Sequence, residues 1–343
     1  MKALYIVEPL KMEMRELPVP VIQAPDEVLV KVMMAGICGS DMHNYLGESS
    51  GIAYPLVAGH EMAALVLETG SGARGLEAGD HVVLDPVISC GYCYPCSIGR
   101  GNVCENLKAR GSHYDGCMQE FMVLKRRTIH KISRDLPWEK AALVEPFTIA
   151  GQSTSRAAVS AGDTVYIGGA GPIGLCILLM CKLLGAEVII SDIIAPRLEL
   201  AARLGADHVI DLNTEEPSAA IKKMPGVHGI TAAFDAVGHP AVFAQLVKLA
   251  LPAARILCMG FSPEPSPVSL VDITKKELTI LGSRMSVNQF DRIIKLTEEG
   301  RLDGTPLVSG VFDFKDGLRA FQELKENKAA HCKVLIRINA EDD

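Results

Sequence analysis

The spacing of apolar and polar positions changes near residue 150, and the change divides the chain into two kinds of predicted structure. Before that point the apolar residues form short β-branched or alternating runs, separated by Gly, Pro and Asp, which is typical of strands. The runs are KALYIVEP, EVLVKVMMAG, AALVLETG and HVVLDPV. The N-terminal part is therefore predicted to be mainly β, with a barrel-like arrangement.

From residue 150 onward, short strand-like runs alternate with longer apolar segments of helical length. The predicted strands are DTVYIGG, EVIISD, HVIDL, ITAAFDAVG, ARILCMGF and LTILGSR, and the predicted helices are PIGLCILLMCKLLG, RLELAARLG and AVFAQLVKLAL. This alternation indicates βαβ units around a parallel sheet, an α/β fold class. After about residue 287 the pattern predicts two helices and a last strand, KVLIRI, which could extend the α/β part or return to the first part.

Composition narrows the classes of protein that the chain can belong to. Its 343 residues suffice for two or three domains, and 48% hydrophobic with 22% charged residues is typical of a globular protein. The formal net charge of −7 argues against a broad nucleic-acid-binding surface. No apolar run reaches the ~18–20 residues of a membrane span, and the N-terminus lacks the pattern of a signal peptide. We expect a cytoplasmic protein with a small-molecule partner, not a nucleic acid or a membrane.

A glycine-rich turn between the first strand and the first helix of the α/β part has the G-x-G-x-x-G spacing of dinucleotide sites. Its residues are Gly169, Ala170, Gly171, Pro172, Ile173 and Gly174. The glycines allow close approach to a pyrophosphate at the helix N-terminus. The next strand ends in Asp192, whose carboxylate can bind both ribose hydroxyls and would repel a 2′-phosphate, so NAD is favoured over NADP. Arg197 could flank the adenine or weaken the preference for NAD. Val237 is a further candidate for contact with the cofactor.

Four of the ten cysteines are clustered, and their spacing predicts a metal site. They are Cys90, Cys93, Cys96 and Cys104. Four thiolates can surround one tetrahedral zinc and leave no position for water, as in a structural site. The C-x2-C-x2-C portion also matches one iron–sulfur spacing, which the residues alone leave open.

A second set of possible ligands is spread over the N-terminal part. Cys38 lies in GICGSDMH, His60 and Glu61 lie in GHE, and Glu145 lies in VEPF. A thiolate, an imidazole and carboxylates suit a zinc site that keeps one position for water or substrate. Each of these residues alone would be a weak signal.

Taken together, the motifs carry a resemblance that covers essentially the whole chain. GICGSDMH, GHE, the four-cysteine loop, VEPF and GGAGPIG occur in the order and approximate spacing of the zinc-dependent medium-chain alcohol and polyol dehydrogenases. The chain is most similar to the sorbitol, threonine and sugar-acid branches. DPVISCGYCYPCSIGRGNVC, EPFTIAG and PAARILCMGFSPEPS resemble bacterial L-gulonate or L-galactonate 5-dehydrogenases.

The resemblance implies two domains and two zinc ions per chain. Residues 1–148, completed by 287–343, would form a GroES-like, mainly β catalytic domain, and residues 149–286 a Rossmann domain that binds NAD. The four cysteines would hold a structural zinc, and relatives form homodimers or homotetramers, often by pairing Rossmann sheets edge to edge.

The resemblance also assigns catalytic roles by position. Cys38 and His60 would bind the catalytic zinc, and either Glu61 or Glu145 would complete the ligand set. Ser40 would begin a proton relay that His43 continues to solvent. Zinc would lower the pKa of a substrate hydroxyl, and hydride would pass to NAD.

The substrate is the least determined part of the prediction. The carboxylate of a hexonate needs a cation or several donors, and the candidates are His113, Arg284 and Asn288. The alternatives are an L-threonine or small-diol dehydrogenase and, in a different class, a regulatory dinucleotide-binding protein.

Overall fold

The structure is a computed structural model that describes residues 1–340. Its strands are β1 (Lys2–Glu8), β2 (Lys11–Glu16), β3 (Glu27–Ile37), β4 (Leu56–Val57), β5 (Glu61–Thr69), β6 (His81–Leu84), β7 (Val87–Ile88), β8 (Lys108–Ala109), β9 (Phe121–Lys125), β10 (Ile129–Ile132), β11 (Thr164–Gly168), β12 (Glu187–Asp192), β13 (His208–Asp211), β14 (Ile230–Asp235), β15 (Ala250–Cys258), β16 (Thr279–Gly282), β17 (Val308–Asp313) and β18 (Lys333–Arg337).

Helices are fewer in the N-terminal part than in the α/β part, as the pattern predicts. They are α1 (Gly39–Leu46), α2 (Tyr94–Ser97), α3 (Trp138–Ala142), α4 (Val144–Arg156), α5 (Pro172–Leu183), α6 (Ala195–Arg203), α7 (Pro217–Ile221), α8 (Pro240–Leu249), α9 (Leu270–Lys276), α10 (Phe290–Glu298) and α11 (Gly317–Glu326). No helix within residues 1–340 has both the length and the apolar character needed to cross a bilayer.

The chain divides into two compact units. One contains Met1–Glu145 together with the C-terminal part from Val287, and the other is Pro146–Ser286. The division falls inside α4, three residues before the boundary predicted at 148, because the helix bridges the change of pattern without a linker.

The first unit is built around β3, whose apolar run is buried over almost its full length. Its main sheet has the order β10-β6-β5-β3-β18-β17, and β9 also pairs with β3. The last strand, β18, pairs antiparallel with β3, so the C-terminal segment returns to the first unit. A three-stranded sheet, β2-β1-β4, includes the strand β2, which the pattern did not predict because it is mostly charged.

The second unit is a doubly wound parallel sheet. Its strand order is β13-β12-β11-β14-β15-β16, the order that dinucleotide-binding folds share. All five pairings are parallel, so the carboxyl ends of the strands lie along one edge, and ligands of such sheets bind at that edge. The predicted α/β fold class, a mainly β unit with a doubly wound unit, is confirmed.

Candidate active site and metal centres

The four-cysteine loop brings its thiols together as a tetrahedral ion requires. Cys93 caps the N-terminus of α2, Cys96 lies within that helix, and Cys104 follows a short 3-10 turn. The Sγ atoms of Cys93 lie 3.5 Å from Cys96 and 3.7 Å from Cys104, and Cys90 lies 4.0 Å from Cys96. Thiolates ~2.3 Å from one zinc would lie roughly 3.8 Å apart, so the four sulfurs fit the ion.

Hydrogen bonds and burial act in opposite directions on the thiols of this loop. Hydrogen bonds, first among them one from the backbone of Tyr92, lower the pKa of the Cys90 thiol to about 6, whereas burial raises the pKa of the Cys96 thiol to about 11. The backbone N–H groups of Cys90 and Asn106 both donate to Cys104 Sγ at 3.3 Å. Since protein side chains fill all four positions, the loop fits a structural zinc.

A second potential metal site lies where β3 ends and β5 begins. The two strands are antiparallel and pair Gly36 with Glu61, which places Cys38, just after β3, beside His60, just before β5. One ligand atom from each of Cys38, His60 and Glu61 lies within 4.8 Å of the others. A Cβ on Gly36 would lie 2.0 Å from Glu61 Oε2, so only glycine leaves room for this carboxylate. The donor set fits zinc.

Asp41 lies beside the candidate ligands and was not singled out by the sequence analysis. Its carboxylate is fully buried and lies 3.6 Å from His60 Nδ1. The same carboxylate accepts hydrogen bonds from the backbone N–H groups of Cys38 (2.9 Å) and Gly59 (3.0 Å). Asp41 therefore links the backbone at Cys38 to the backbone just before His60, and its carboxylate lies beside Nδ1 of the imidazole, as partners of metal-binding histidines do. The signal was the Asp three residues after Cys38 in GICGSDMH.

Lys333 is a second missed residue, and it changes the interpretation of Glu61. Lys333 Nζ lies 2.6 Å and 2.7 Å from the two carboxylate oxygens of Glu61, and it also donates to the carbonyl of Ile37 at 3.2 Å. Both side chains are buried. Glu61 is thus an ion-paired neighbour of Cys38 and His60, and a metal would share its carboxylate with a lysine that comes from the far end of the chain.

Glu145 lies near this cluster but is not one of the three residues whose ligand atoms approach within 4.8 Å. It is buried at the start of α4, and burial raises its pKa to about 7, with His60 acting in the opposite direction. The structure therefore places Glu61 closer to the two other candidate ligands than Glu145.

The two relay candidates lie on one face of α1. Ser40 and His43 are three residues apart in the helix and both are exposed. His43 Nδ1 lies 2.7 Å from a carboxylate oxygen of Glu48. The pair reaches solvent, as a relay would require, and its role stays a prediction.

The glycine-rich turn has the shape predicted for a pyrophosphate site. Gly169 has a φ of 102°, and a Cβ on Gly174 would lie 1.9 Å from the carbonyl oxygen of Gly169. In contrast, a Cβ on Gly171 would meet only the Arg197 guanidinium, at 3.9 Å. Helix α5 begins directly after Gly171, at Pro172. There is therefore space beside the N-terminus of this helix, and a side chain at position 171 would reduce it. A dinucleotide pyrophosphate fits there.

Asp192 holds this turn against β12. One of its oxygens accepts from the backbone N–H of Ala170 at 2.7 Å, and the other accepts from Ile193 and Ile194. A carboxylate has about four acceptor positions, so three are used and one is left for a ribose hydroxyl, one fewer than the two that the sequence analysis predicted, because backbone N–H groups occupy the others. Val237 lies next to the turn, since its Cγ2 would be 2.6 Å from a Cβ on Gly169.

The substrate candidates are found in separate places. His113 and Asn288 belong to the first unit and Arg284 to the second. His113 Nδ1 accepts from the backbone N–H of Ala109 at 3.2 Å, and Asn288 adopts a left-handed φ of 55°. The Arg284 guanidinium lies over the ring of Phe261, 5.6 Å from its centroid.

Comparison with protein families gives two matches that follow the two units. Residues 24–134 match the alcohol dehydrogenase GroES-like domain, and residues 172–299 match the zinc-binding dehydrogenase family.

Individual relatives match over nearly their full length. The starvation-sensing protein RspB of Escherichia coli K12 is 40% identical over 342 residues, with 98% of this chain and 99% of the relative covered. The 2-dehydro-3-deoxy-L-galactonate 5-dehydrogenase of Pseudoalteromonas atlantica is 32% identical, with 92% of each covered. A solved structure, described as a short chain alcohol dehydrogenase (rspB) from E. coli CFT073 complexed with cofactor NADH, superposes with a TM-score of 0.92 at 38% identity and covers 98% of this chain and 99% of that one.

Proposed function

Since this chain belongs to the zinc-type medium-chain alcohol dehydrogenase family, we propose that it oxidises a secondary alcohol of a sugar acid or polyol to the ketone, with NAD as the acceptor. The family gives the enzyme class, and the substrate class is the part that we propose. The observation that carries the proposal is the cluster of Cys38, His60 and Glu61 in a unit that matches the family's catalytic domain.

The residues of the cluster have separate tasks. Cys38 and His60 would hold the catalytic zinc, with Asp41 fixing the imidazole and Lys333 holding the Glu61 carboxylate beside it. When bound, zinc would act as a Lewis acid toward the substrate hydroxyl, and NAD would supply the hydride acceptor.

The proton of the hydroxyl needs a path to solvent. The Ser40 hydroxyl can both accept and donate a proton, and His43 lies one helical turn further along α1. Glu48 would stabilise the imidazolium that forms when His43 receives the proton, because its carboxylate lies 2.7 Å from Nδ1.

The preference for NAD would come from Asp192. A 2′-phosphate would meet a carboxylate whose position is fixed by three backbone N–H groups, and the two negative charges would repel. The NADH-bound rspB structure supports this cofactor.

We favour a hexonate such as L-gulonate or L-galactonate as substrate. A 5-dehydrogenase of a related sugar acid is among the relatives, and Arg284 supplies the cation that a carboxylate needs. Arg284 follows β16 at the carboxyl edge of the sheet, on the other side of the glycine turn from Asp192. His113 and Asn288 are the further candidates for the hydroxyl groups.

The experiment that tests the function is a substrate panel with zinc-loaded protein. NADH formation is followed with L-gulonate, L-galactonate, sorbitol, butanediol and L-threonine, each with NAD⁺ and NADP⁺. Faster turnover of a hexonate with NAD⁺ is expected. Activity confined to sorbitol or butanediol would keep the chemistry and contradict recognition of a carboxylate. Activity confined to L-threonine would contradict the hexonate as substrate, and bound zinc at a single site with no activity would favour a regulatory protein.

The chain is further proposed to act in the cytoplasm as a homo-oligomer. Strand β16 ends the parallel sheet, and Ile280 on this edge strand is 37% exposed. An unpaired apolar edge can add the same edge of a second copy. Ile280→Asp should reduce the mass measured by light scattering, whereas Val311→Asp, on the edge strand β17 with similar exposure, should not.

A further inference from the structure

Close contacts link the loops that follow four neighbouring strands of the second unit. Val237, after β14, packs against the glycine turn that follows β11. The next glycine, Gly238, meets Gly260 after β15 so closely that a Cβ on Gly260 would lie 1.8 Å from the Gly238 Cα. Phe261 follows Gly260 directly, and its ring lies under Arg284, after β16. These contacts form a continuous series from the glycine-rich turn to Arg284, the proposed carboxylate-binding residue.

Phe261 is a large apolar side chain that packs little against the rest of the unit. The residue is 80% exposed, on a loop that contains three prolines, so burial of the ring contributes little to folding. Its backbone position is nevertheless fixed, since Gly238 and Gly260 meet without room for side chains. The ring contacts the Arg284 guanidinium, which lies 5.6 Å from the ring centroid, within the range of a cation–π interaction.

We propose that Phe261 is a positioning residue for Arg284 and thereby sets the preference of the enzyme for substrates with a carboxylate. This inference rests on the proposed function, in which Arg284 binds that carboxylate. The ring attracts the guanidinium through its π face, so this contact restrains a long side chain without a hydrogen bond. Since the side chain is already ordered, less conformational entropy is lost when the carboxylate binds.

The test compares four variants of the zinc-loaded full-length enzyme. Phe261→Leu removes the ring, Phe261→Tyr keeps it, and Arg284→Gln removes the charge. Tyr5→Leu is the matched control, because the Arg15 guanidinium lies 5.1 Å from the Tyr5 ring centroid in a pair of the same kind in the first unit. Two quantities are measured for each: kcat/KM with L-gulonate, L-galactonate and sorbitol, and the Kd of the faster hexonate for the enzyme–NADH complex.

Phe261→Leu should lower kcat/KM for the hexonate about two- to fivefold, mainly through KM, and weaken hexonate binding equally. Sorbitol turnover should stay unchanged, and Phe261→Tyr and Tyr5→Leu should behave as the unmodified enzyme. Arg284→Gln should lower kcat/KM for the hexonate roughly 10- to 100-fold.

Each other outcome contradicts a separate claim. If Arg284→Gln weakens the hexonate and Phe261→Leu does not, the positioning role is wrong while the carboxylate site stands. If Phe261→Leu slows sorbitol as much as the hexonate, or if Phe261→Tyr loses the preference for the hexonate although it keeps the ring, the ring does not act through Arg284 and the positioning role is wrong. If Arg284→Gln changes nothing, or if the unmodified enzyme oxidises neither hexonate, the proposed substrate class fails and this inference with it.

Discussion

The Asp41 carboxylate shows how one buried residue can organise a metal site. It accepts hydrogen bonds from the backbone N–H groups of Cys38 and of Gly59, the residue before His60, and it lies beside the imidazole itself. Partners of this kind fix the orientation of a histidine ligand and raise its basicity, so their loss weakens the metal site without removing a ligand.

Asp41→Asn is therefore expected to lower zinc affinity at this site, or kcat/KM, about 10- to 100-fold. Zinc in the four-cysteine loop should be retained, so the content should fall from two ions toward one on dialysis. Elemental analysis and initial rates measure both effects. Asp26→Asn, at an exposed ion pair with Lys125, is the control, and equal losses in the two variants would contradict the role of Asp41.

The ion pair of Lys333 and Glu61 gives a prediction for stability. Both groups are buried, and removal of one charge leaves the other without its partner, which typically costs about 3–5 kcal/mol. Lys333→Met should lower the free energy of unfolding by that amount in urea, and the added change Glu61→Gln should restore much of it. Lys11→Met, at an exposed pair with Glu8, should cost less than about 1 kcal/mol. Similar losses at both lysines would contradict the account.

The sequence predicted ligand residue types better than their partners. Cysteines and the GHE motif are short patterns whose chemistry is legible without a fold, so Cys38, His60 and the four-cysteine loop could be proposed. Lys333 could not, because 272 positions separate it from Glu61 and only the pairing of β18 with β3 brings them together.

At the scale of elements, the four-cysteine loop is a long connection with little regular structure of its own. It contains a four-residue helix and a three-residue turn between β7 and β8. Such a loop has few buried apolar contacts to hold it, so a bound metal would supply much of its stability.

Cys104→Ser is accordingly expected to remove one zinc per chain and lower the free energy of unfolding by about 2 kcal/mol or more. The catalytic zinc should remain. Cys258→Ser, outside both clusters, should keep two zinc ions. Unchanged zinc content in Cys104→Ser would show that the loop does not hold the metal.

Asp163 joins three segments of the second unit and makes its stability depend on pH. Burial raises the pKa of the Asp163 carboxyl, but hydrogen bonds from Thr231 and the Ser160 backbone and the Arg255 guanidinium outweigh it, so the pKa is lowered. A lowered pKa means that the ionised form is favoured in the folded state, so its contribution is complete above the unfolded pKa of ~3.9 and disappears as the pH falls below it.

The free energy of unfolding of Asp163→Asn should therefore be lower than that of the unmodified protein at pH 7. This difference should shrink as the pH is lowered through about 4. Urea unfolding at several pH values measures it. A difference that stays constant or widens toward acid pH would contradict the lowered pKa.

Periodicity predicted the elements of the α/β unit well and those of the first unit less well. Strands β11, β12 and β14 each contain an apolar run and are buried over most of their length, so they could be recognised from composition. In contrast, β2 alternates charged residues with methionines, and α1 is short, so their conformations depend on the strands and side chains packed beside them.

For the whole molecule, the order of elements decides where chemistry can occur. The doubly wound strand order places the ends of β11, β12, β15 and β16 on one edge, and the return of β18 to β3 completes the sheet that carries the candidate zinc ligands. The hydrophobic pattern left that return open, because a helix–helix–strand pattern fits either unit, and only the family resemblance assigned residues 287–343 to the first unit.

The proposed function requires a zinc, held by Cys38 and His60, on which dehydrogenation of a hexonate depends. It is tested by the rate of NADH formation from L-gulonate or L-galactonate with the unmodified enzyme and with Cys38→Ser, together with the zinc content of each. We expect two zinc ions and rapid turnover for the first, and one zinc ion, a native fold and no turnover for the second. Turnover by Cys38→Ser with a single zinc ion bound would contradict it.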